Sequence, residues 1–367
     1  MNLTAPKLRN LLKTWGDKVK VELYRVPGEP PWSGPRQYLQ ITEGHQGMDI
    51  RVELPWQSEK QAALKELLEV IPDGAALTRP PQLEKIADAP APAFSWLNLA
   101  TAPLKMERTK LSALAYYQLA SGAQVYMTTD THRLHAAWQG DLLPAGDHAA
   151  WQAAPPAHAL IWNDALAQWA LVIGDTRGDV EFCRVGEDAY GFHHPHLGTV
   201  WSQDLGEGFP TNALQFAFID RYPQFNGEVV GGEMQYTVAC PEAAITVSRE
   251  ALVEAVGWVG RTAEDEGRIR IKQRQGYLLI EVVHPGGGRA WRKVACQGDG
   301  EVNFTSDWRY LLDALDMPKP LDEVVNLRVA GHHLSMLVVD SKPGYCYHQA
   351  NDWNLRAVVC QMEDIWG

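Results

Sequence analysis

The chain has 367 residues and a mass of 40.9 kDa, enough for two to three domains at roughly 150 residues each. Hydrophobic residues make up 46% and charged residues 21%, which excludes wholesale disorder and a fibrous class. The formal net charge of −12 excludes a protein that coats nucleic acid with its whole surface, while leaving room for a local basic strip.

In chain order, Met1 to Trp15 carries Lys7, Arg9 and Lys13 through its apolar positions, so it lacks the unbroken apolar core of a secretion signal. Leu8, Leu11, Leu12 and Trp15 fall at i, i+3, i+4 and i+7, the spacing of one buried helix face. Short β-rich runs follow at Lys18 to Val26, Gln37 to Thr42 and Asp49 to Leu54, punctuated by Gly and Pro. The helical spacing returns at Leu64, Leu67, Leu68 and Ile71. Ala75 to Ala102 contains Arg79-Pro80-Pro81 and Ala89-Pro90-Ala91-Pro92, the composition of an inserted loop or flexible connection.

A third helix is expected on Leu166, Trp169, Ala170 and Ile173, followed by strands at Asp179 to Val185, Ala189 to His193 and Thr199 to Leu205. The fourth, on Leu252, Ala255, Val256 and Val259, precedes Arg268 to Gln273, Tyr277 to Val283 and Ala290 to Cys296. A fifth lies on Trp308, Leu311, Leu312 and Leu315, with Ser306 or Asp307 at its amino-terminal cap. The unit reads strand, helix, three strands. Its helix covers one face of an antiparallel sheet, so units must sit side by side to complete a core. The fold class expected is α+β, built of tandem units. No apolar run reaches the ~18–20 residues that span a bilayer, so no membrane partner is expected.

The chemistry-bearing residues point away from catalysis. Five cysteines, Cys183, Cys240, Cys296, Cys346 and Cys360, form no Cys-x-x-Cys pair and read as buried thiols. His193-His194-Pro195-His196 and His332-His333 lack metal-ligand spacing, because consecutive strand residues point to opposite faces. Gly286-Gly287-Gly288 runs from strand to strand and reads as a hairpin loop, not a phosphate cradle. Neither a cofactor nor a metal is expected, and a metal-dependent hydrolase is the least supported class. Trp15, Trp169 and Trp308 fall on the apolar stripes, as core anchors.

Three segments carry a family resemblance. Val247-Ser-Arg-Glu-Ala-Leu-Val-Glu-Ala-Val256 and Phe304-Thr-Ser-Asp-Trp-Arg-Tyr310-Leu-Leu-Asp-Ala-Leu315 resemble the third domain of the bacterial sliding clamp, the β subunit of DNA polymerase III. Thr128-Thr129-Asp130-Thr131-His132-Arg133-Leu134 is similar to that family's Ala-Thr-Asp-Gly-His-Arg-Leu, and Arg108-Thr-Lys-Leu111-Ser-Ala-Leu114 to its Arg-x-x-Leu-Asn-Gly. Phe218 to Phe225 resembles the passage that closes the second domain. Leu3 to Leu54 is similar to the latter half of the first domain. The family has six units in three domains, against five expected here.

The resemblance implies an abridged clamp-like domain over 1–57, a middle one over 58–237 with the insertion near 75–102, and a third over 238–367. It implies sheets outside and helices lining a ring, closed as a homodimer around double-stranded DNA without reading its sequence, and a cytoplasmic, nucleoid-associated place of action. DNA polymerase and the clamp loader would dock short peptides in a groove of Leu111, Thr129, His132, Arg133, Leu134, Pro223, Phe225, Val358, Val359 and Met362. Lys7, Arg9, Lys13, Lys60, Lys65, Arg108, Lys110 and Arg249 would face DNA. The departures are Thr131 for a glycine, Gly227 and Glu228 where a basic and an apolar residue are usual, and Cys360-Gln361 with Glu363-Asp364 in place of Met-Pro and Arg-Leu. A non-encircling decoy or adaptor that binds replication proteins through the same groove is the alternative.

Overall fold

The computed structural model describes residues 20–26, 36–43, 46–52, 82–101, 109–143, 150, 158–163, 165–167, 170, 180–195, 198–206, 209–210, 213–218, 228–230, 233–235, 244–263, 267–284, 288–298, 300–318, 324–330, 336–341 and 353–362. Strands β1 (Lys20–Val26), β2 (Arg36–Glu43) and β3 (Gln46–Val52) open the fold, followed by β4 (Leu83–Asp88) and helix α1 (Phe94–Leu99). Next come β5 (Ala113–Gln118), β6 (Gln124–Thr129), β7 (Arg133–Gln139) and β8 (Ala159–Trp162). Then follow β9 (Glu181–Val185), β10 (Ala189–His194), β11 (Gly198–Gln203) and helix α2 (Ala213–Ala217).

A small hairpin, β12 (Glu228–Val230) and β13 (Glu233–Gln235), precedes β14 (Ile245–Ser248), helix α3 (Arg249–Gly260), β15 (Arg268–Arg274), β16 (Tyr277–Val283) and β17 (Arg289–Gln297). The chain ends through β18 (Asn303–Asp307), helix α4 (Trp308–Leu315), β19 (Val324–Ala330), β20 (Met336–Ser341) and β21 (Asn354–Cys360). It divides into two compact units, Met1–Ser95 with Ala159–Gly206, and Trp96–His158 with Glu207–Gly367.

Among the described residues the repeating element is an antiparallel strand trio. It occurs five times, as β1–β2–β3, β5–β6–β7, β9–β10–β11, β15–β16–β17 and β19–β20–β21. In the last two the strand before one helix closes the sheet of the other trio, β14 pairing with β19 and β18 with β15. In the first unit, β4 pairs with β9 as β14 does with β19. That unit's sheet runs β1-β2-β3-β11-β10-β9-β4.

Its register is fixed by size. Trp201 on β11 stands directly across from Gly47 on β3 and from Gly191 on β10. A Cβ on Gly47 would lie 2.3 Å from the indole, and one on Gly191 would lie 2.7 Å from the Trp201 Cβ. Glycine at 47 makes room for the indole, and glycine at 191 makes room for the neighbouring strand itself, where a Cβ would also lie 2.1 Å from Val200 O.

In the second unit α3 buries Leu252, Ala255, Val256 and Val259, the four positions expected from spacing. Ser248 caps it, its hydroxyl accepting from Ala251 N at 3.3 Å. Of the two expected caps of α4, Asp307 does the work, accepting from Arg309 N at 2.8 Å, while Ser306 is fully buried in β18. Gly260 lets α3 and α4 touch, since a Cβ there would sit 2.4 Å from the Trp308 ring.

The expected loop at 75–102 is corrected. Gln82 to Thr101 contains β4, a short turn at Ala91–Ala93 and α1, and it buries Phe94, Trp96 and Leu97 to 2% exposure or less. Proline fits because a helical turn's first residues need no N–H partner, and the alanines between are small enough to pack. The trio after α1 escaped the reading of alternation because β5 is buried at every position but its last. The helices expected on Leu8 to Trp15 and Leu64 to Ile71 lie outside the described residues. Residues 163, 165–167 and 170 of the third are helical. No described helix is long and apolar enough to cross a membrane.

The carboxyl-terminal trio joins β7 through β21, in the register Leu355↔Ala137 to Val359↔Arg133. Beneath that joint Asp340, 7% exposed, accepts from Arg356 Nε at 2.6 Å and Nη2 at 3.1 Å and pairs with Arg328. Arg356 also donates to Ala217 O at 3.2 Å and lies 5.5 Å from the Trp138 and Phe218 rings. Replacing Asp340 with asparagine removes the carboxylate that the two guanidiniums share and is expected to cost about 3–5 kcal/mol, read from the urea midpoint.

Candidate functional site

The turn between β6 and β7 is built by its own side chains. Asp130 Oδ1 accepts from the backbone N–H groups of His132 and Arg133 at 2.9 and 3.0 Å, the local bond that lets aspartate stand in for a turn carbonyl. Thr129 Oγ1 donates to Arg133 O at 2.8 Å and accepts from Thr131 N at 3.1 Å. The geometry forces Thr131 to φ +78°, and it is the one non-glycine residue with positive φ among those described. A β-branched residue there is strained by about 1–3 kcal/mol. It stands where the similar motif has glycine.

Arg133 leaves this turn toward α4. Its Nε donates to Asp130 Oδ2 at 3.1 Å, its Nη1 pairs with Asp313, and its guanidinium lies 4.8 Å from the Tyr310 ring centre. Only 12% of the side chain is exposed. His132 is exposed and stacks on the same Tyr310, with ring centres 5.7 Å apart and planes 14° apart. Tyr310 and Asp313 are one helical turn apart and present one face to the loop. Burial raises the Asp313 carboxyl above its usual range, with Arg133 acting against the rise.

The end of β21 closes the site. Cys360 N donates to His132 O at 2.8 Å, Cys360 Sγ contacts Thr131 O at 3.6 Å, and Met362 N donates to Thr305 O at 3.0 Å. Below lies a second layer. Trp96 Nε1 donates to Asp313 O at 3.1 Å, and the indole stacks on His135 at 4.3 Å and 9°. His135 Nδ1 donates to Trp96 O at 2.7 Å, because a carbonyl can only accept. Thr128 Oγ1 donates to Leu97 O at 2.5 Å. Complete burial holds the His135 ring neutral, its pKa pushed down to about 3, with the Arg133 charge adding to the fall.

Of the expected groove residues, Thr129, His132, Arg133, Leu134, Val358 and Val359 meet at this β6–β7–β21 junction, and Met362 follows it. Leu111, Thr129, Leu134, Val358 and Val359 are 0–6% exposed; the register sets Thr129, Leu134 and Val358 on one face of the sheet and Arg133 with Val359 on the other, while His132 and Met362 reach the surface. Pro223 and Phe225 lie outside the described residues. Trp96, His135, Tyr310 and Asp313 join the site beyond the expected residues; the i, i+3 spacing of Tyr310 and Asp313 is the one signal of this in the sequence. Of the expected DNA-facing cations only the Arg249 side chain is described; its Nη1 donates to Leu315 O at 3.0 Å and Met317 O at 2.8 Å, at the carboxyl end of α4. Lys7, Arg9, Lys13, Lys60, Lys65, Arg108 and the Lys110 side chain lie outside the described residues.

Among the described residues no three His, Cys, Asp or Glu side chains converge as a metal site. Cys183 and Cys296 are buried, but Cys360 is half-buried, and burial beside Asp130 pushes its thiol up to about 11. Cys240 and Cys346 lie outside the described residues, as do His196, His332 and His333.

No protein-family model and no curated protein matches the sequence. Solved structures do. The DNA polymerase III subunit beta of Pseudomonas aeruginosa is 16% identical with a TM-score of 0.60, over 98% of each chain. The beta subunit from Thermotoga maritima is 11% identical at 0.60, again over 98% of each chain. The H. pylori beta clamp in complex with diflunisal is 11% identical at 0.61, covering 98% of this chain and 99% of its own. Identities at this level establish a shared fold.

Thr131→Gly releases the left-handed strain at the expense of chain entropy, so it is expected to raise stability by about 0.5–1 kcal/mol, read as a higher urea midpoint. His135 binds a proton in the unfolded chain near its ordinary pKa of 6.5 but not in the folded one until about 3. The stability from its neutral ring is therefore complete above pH ~6.5 and is lost as pH falls toward ~3, by up to about 1.4 kcal/mol per pH unit. Denaturation of His135→Phe between about pH 6 and 4 is expected to show a slope shallower by one proton.

Proposed function

Because this chain has the fold of the bacterial sliding clamp, the β subunit of DNA polymerase III, we propose that it is a clamp-like processivity factor that catalyses no reaction. It closes as a homodimer around duplex DNA in the cytoplasm, on the nucleoid, and tethers a polymerase and its loader by short peptides. The observation that carries this reading is that the likeness runs the length of both chains. The domain division at 57/58 and 237/238 belongs to the same proposal, as does the DNA-facing role of Lys7, Arg9, Lys13, Lys60, Lys65, Arg108, Lys110 and Arg249.

The peptide docks at the turn that holds His132, over Leu111, Thr129, Leu134 and Val358, with Met362 at its rim and Pro223 and Phe225 completing it, while Val359 backs the ladder on the Arg133 side. Arg133 is a positioning residue there, because Asp130 and Asp313 already hold its guanidinium. A partner's apolar side chain, seated against the His132 and Tyr310 rings, gains more at this surface than a carboxylate seeking a cation.

One observation favours the second reading, a non-encircling adaptor. The solvent side of α3 carries Glu250, Val253, Glu254 and Trp258, two carboxylates against the one cation, Arg292, that lies over the indole. Loading onto nicked circular DNA in the presence of the loader and ATP separates the two. A ring stays on the circle through gel filtration and leaves once the circle is cut. Equal release from circular and linear DNA rejects encirclement and leaves the adaptor.

A further inference from the structure

The outer surface of β15, β16 and β17 carries a charge opposite to that of the chain as a whole. Alternation along β15 sets Arg268, Arg270, Lys272 and Arg274 on one face, ~6.7 Å apart, and sends Ile269 and Ile271 into the core at 0% and 1% exposure. The register places Glu281 of β16 across from Arg270 and from Trp291 of β17, and Lys293 one step along.

Contacts agree with that placement. Lys272 Nζ lies 3.7 Å from Glu281, and Arg289 pairs with the same carboxylate. Lys293 Nζ sits 4.5 Å from the Tyr277 ring centre and 5.7 Å from that of Trp291. On the opposite face Arg292 covers Trp258 of α3 at 4.2 Å. The outer face thus gathers six cations, Arg268, Arg270, Lys272, Arg274, Arg289 and Lys293, against two carboxylates, Glu281 and Asp307.

In its midst Trp291 is 49% exposed, more than any other large apolar side chain among the described residues. An indole held open beside a row of cations matches the two needs of an unpaired strand: charge for its phosphates and a flat apolar ring for its bases. A duplex hides its base faces and has no use for the ring. An acidic peptide engages the cations and leaves the indole unexplained.

We propose that this outer face is a platform for single-stranded nucleic acid, with phosphates along the Arg268 to Arg274 row and a base stacked on Trp291. The sheet brings the cation row and the ring within two strands of each other, and Glu281 of the strand between them holds Lys272 and Arg289. The contact reads no sequence, since every base has a face that stacks.

Fluorescence anisotropy of a labelled oligothymidylate of about 15 nucleotides, titrated with the full chain at low and moderate salt, tests this. Binding is expected at low salt. Trp291→Ala should weaken it about tenfold, and Trp291→Phe should restore most of the loss. The double variant Arg274→Ala, Lys293→Ala should flatten the salt slope by about 0.7 per cation removed. All three side chains are exposed, so unchanged melting temperatures are expected to show intact folding.

No binding at low salt overturns the proposal, as does an affinity indifferent to Trp291. Tighter binding of a duplex of the same length overturns it too. A polyglutamate peptide that binds more tightly than the oligonucleotide reassigns the face to an acidic protein. Retention on circular duplex is read separately, so this platform and the ring fail independently.

Discussion

The ladder between β7 and β21 is the constraint on which the second unit of this protein, and the groove proposed on it, depends. It pairs the carboxyl-terminal strand with one from more than two hundred residues earlier, and it fixes Val358 opposite Leu134 and Val359 opposite Arg133. A slip of one residue would exchange every side chain between the two faces of the sheet. The Asp340 cluster guards against this from below, since Arg356 reaches both Asp340 and Ala217 O only in the observed register. From above, the bond from Cys360 N to His132 O ties the last strand to the turn that presents the exposed imidazole.

The site built on this ladder is rigid beneath and open above. Arg133 bridges Asp130 and Asp313 near the surface, and the Trp96–His135 stack fills the space beneath. Strain is concentrated at one residue, Thr131, and four local hydrogen bonds around it hold the turn in shape. Such a turn is preformed, so a partner meets it without first ordering it.

Much of the last third was legible because its physics is local. Alternation of Arg268, Ile269, Arg270 and Ile271 requires a strand with one wet face, and Leu252 to Val259 requires a helix with one buried face. The Thr129 to Leu134 motif was legible for the same reason, since its bonds lie within a few residues. What stayed hidden depends on burial supplied from afar. Strand β5 has no alternation because both its faces are covered. The segment around Trp96 has the composition of a loop, yet it packs because β6, β7 and α4 offer partners for its indole, its carbonyls and its apolar side chains. Tyr310 and Asp313 acquire their role only when a turn nearly two hundred residues away is laid against their helix.

The seating of the Trp201 ring on Gly47 bears on how this architecture tolerates change. The first trio is held to its sheet, among the described residues, by the single seam between β3 and β11. A Cβ on Gly47 would drive into the Trp201 indole and oppose that seam, while the ladder of β4 with β9 keeps its own pairing from Leu83 to Asp88. The amino-terminal trio thus meets the rest of its sheet along one ladder, and a single added methyl at Gly47 is enough to oppose it.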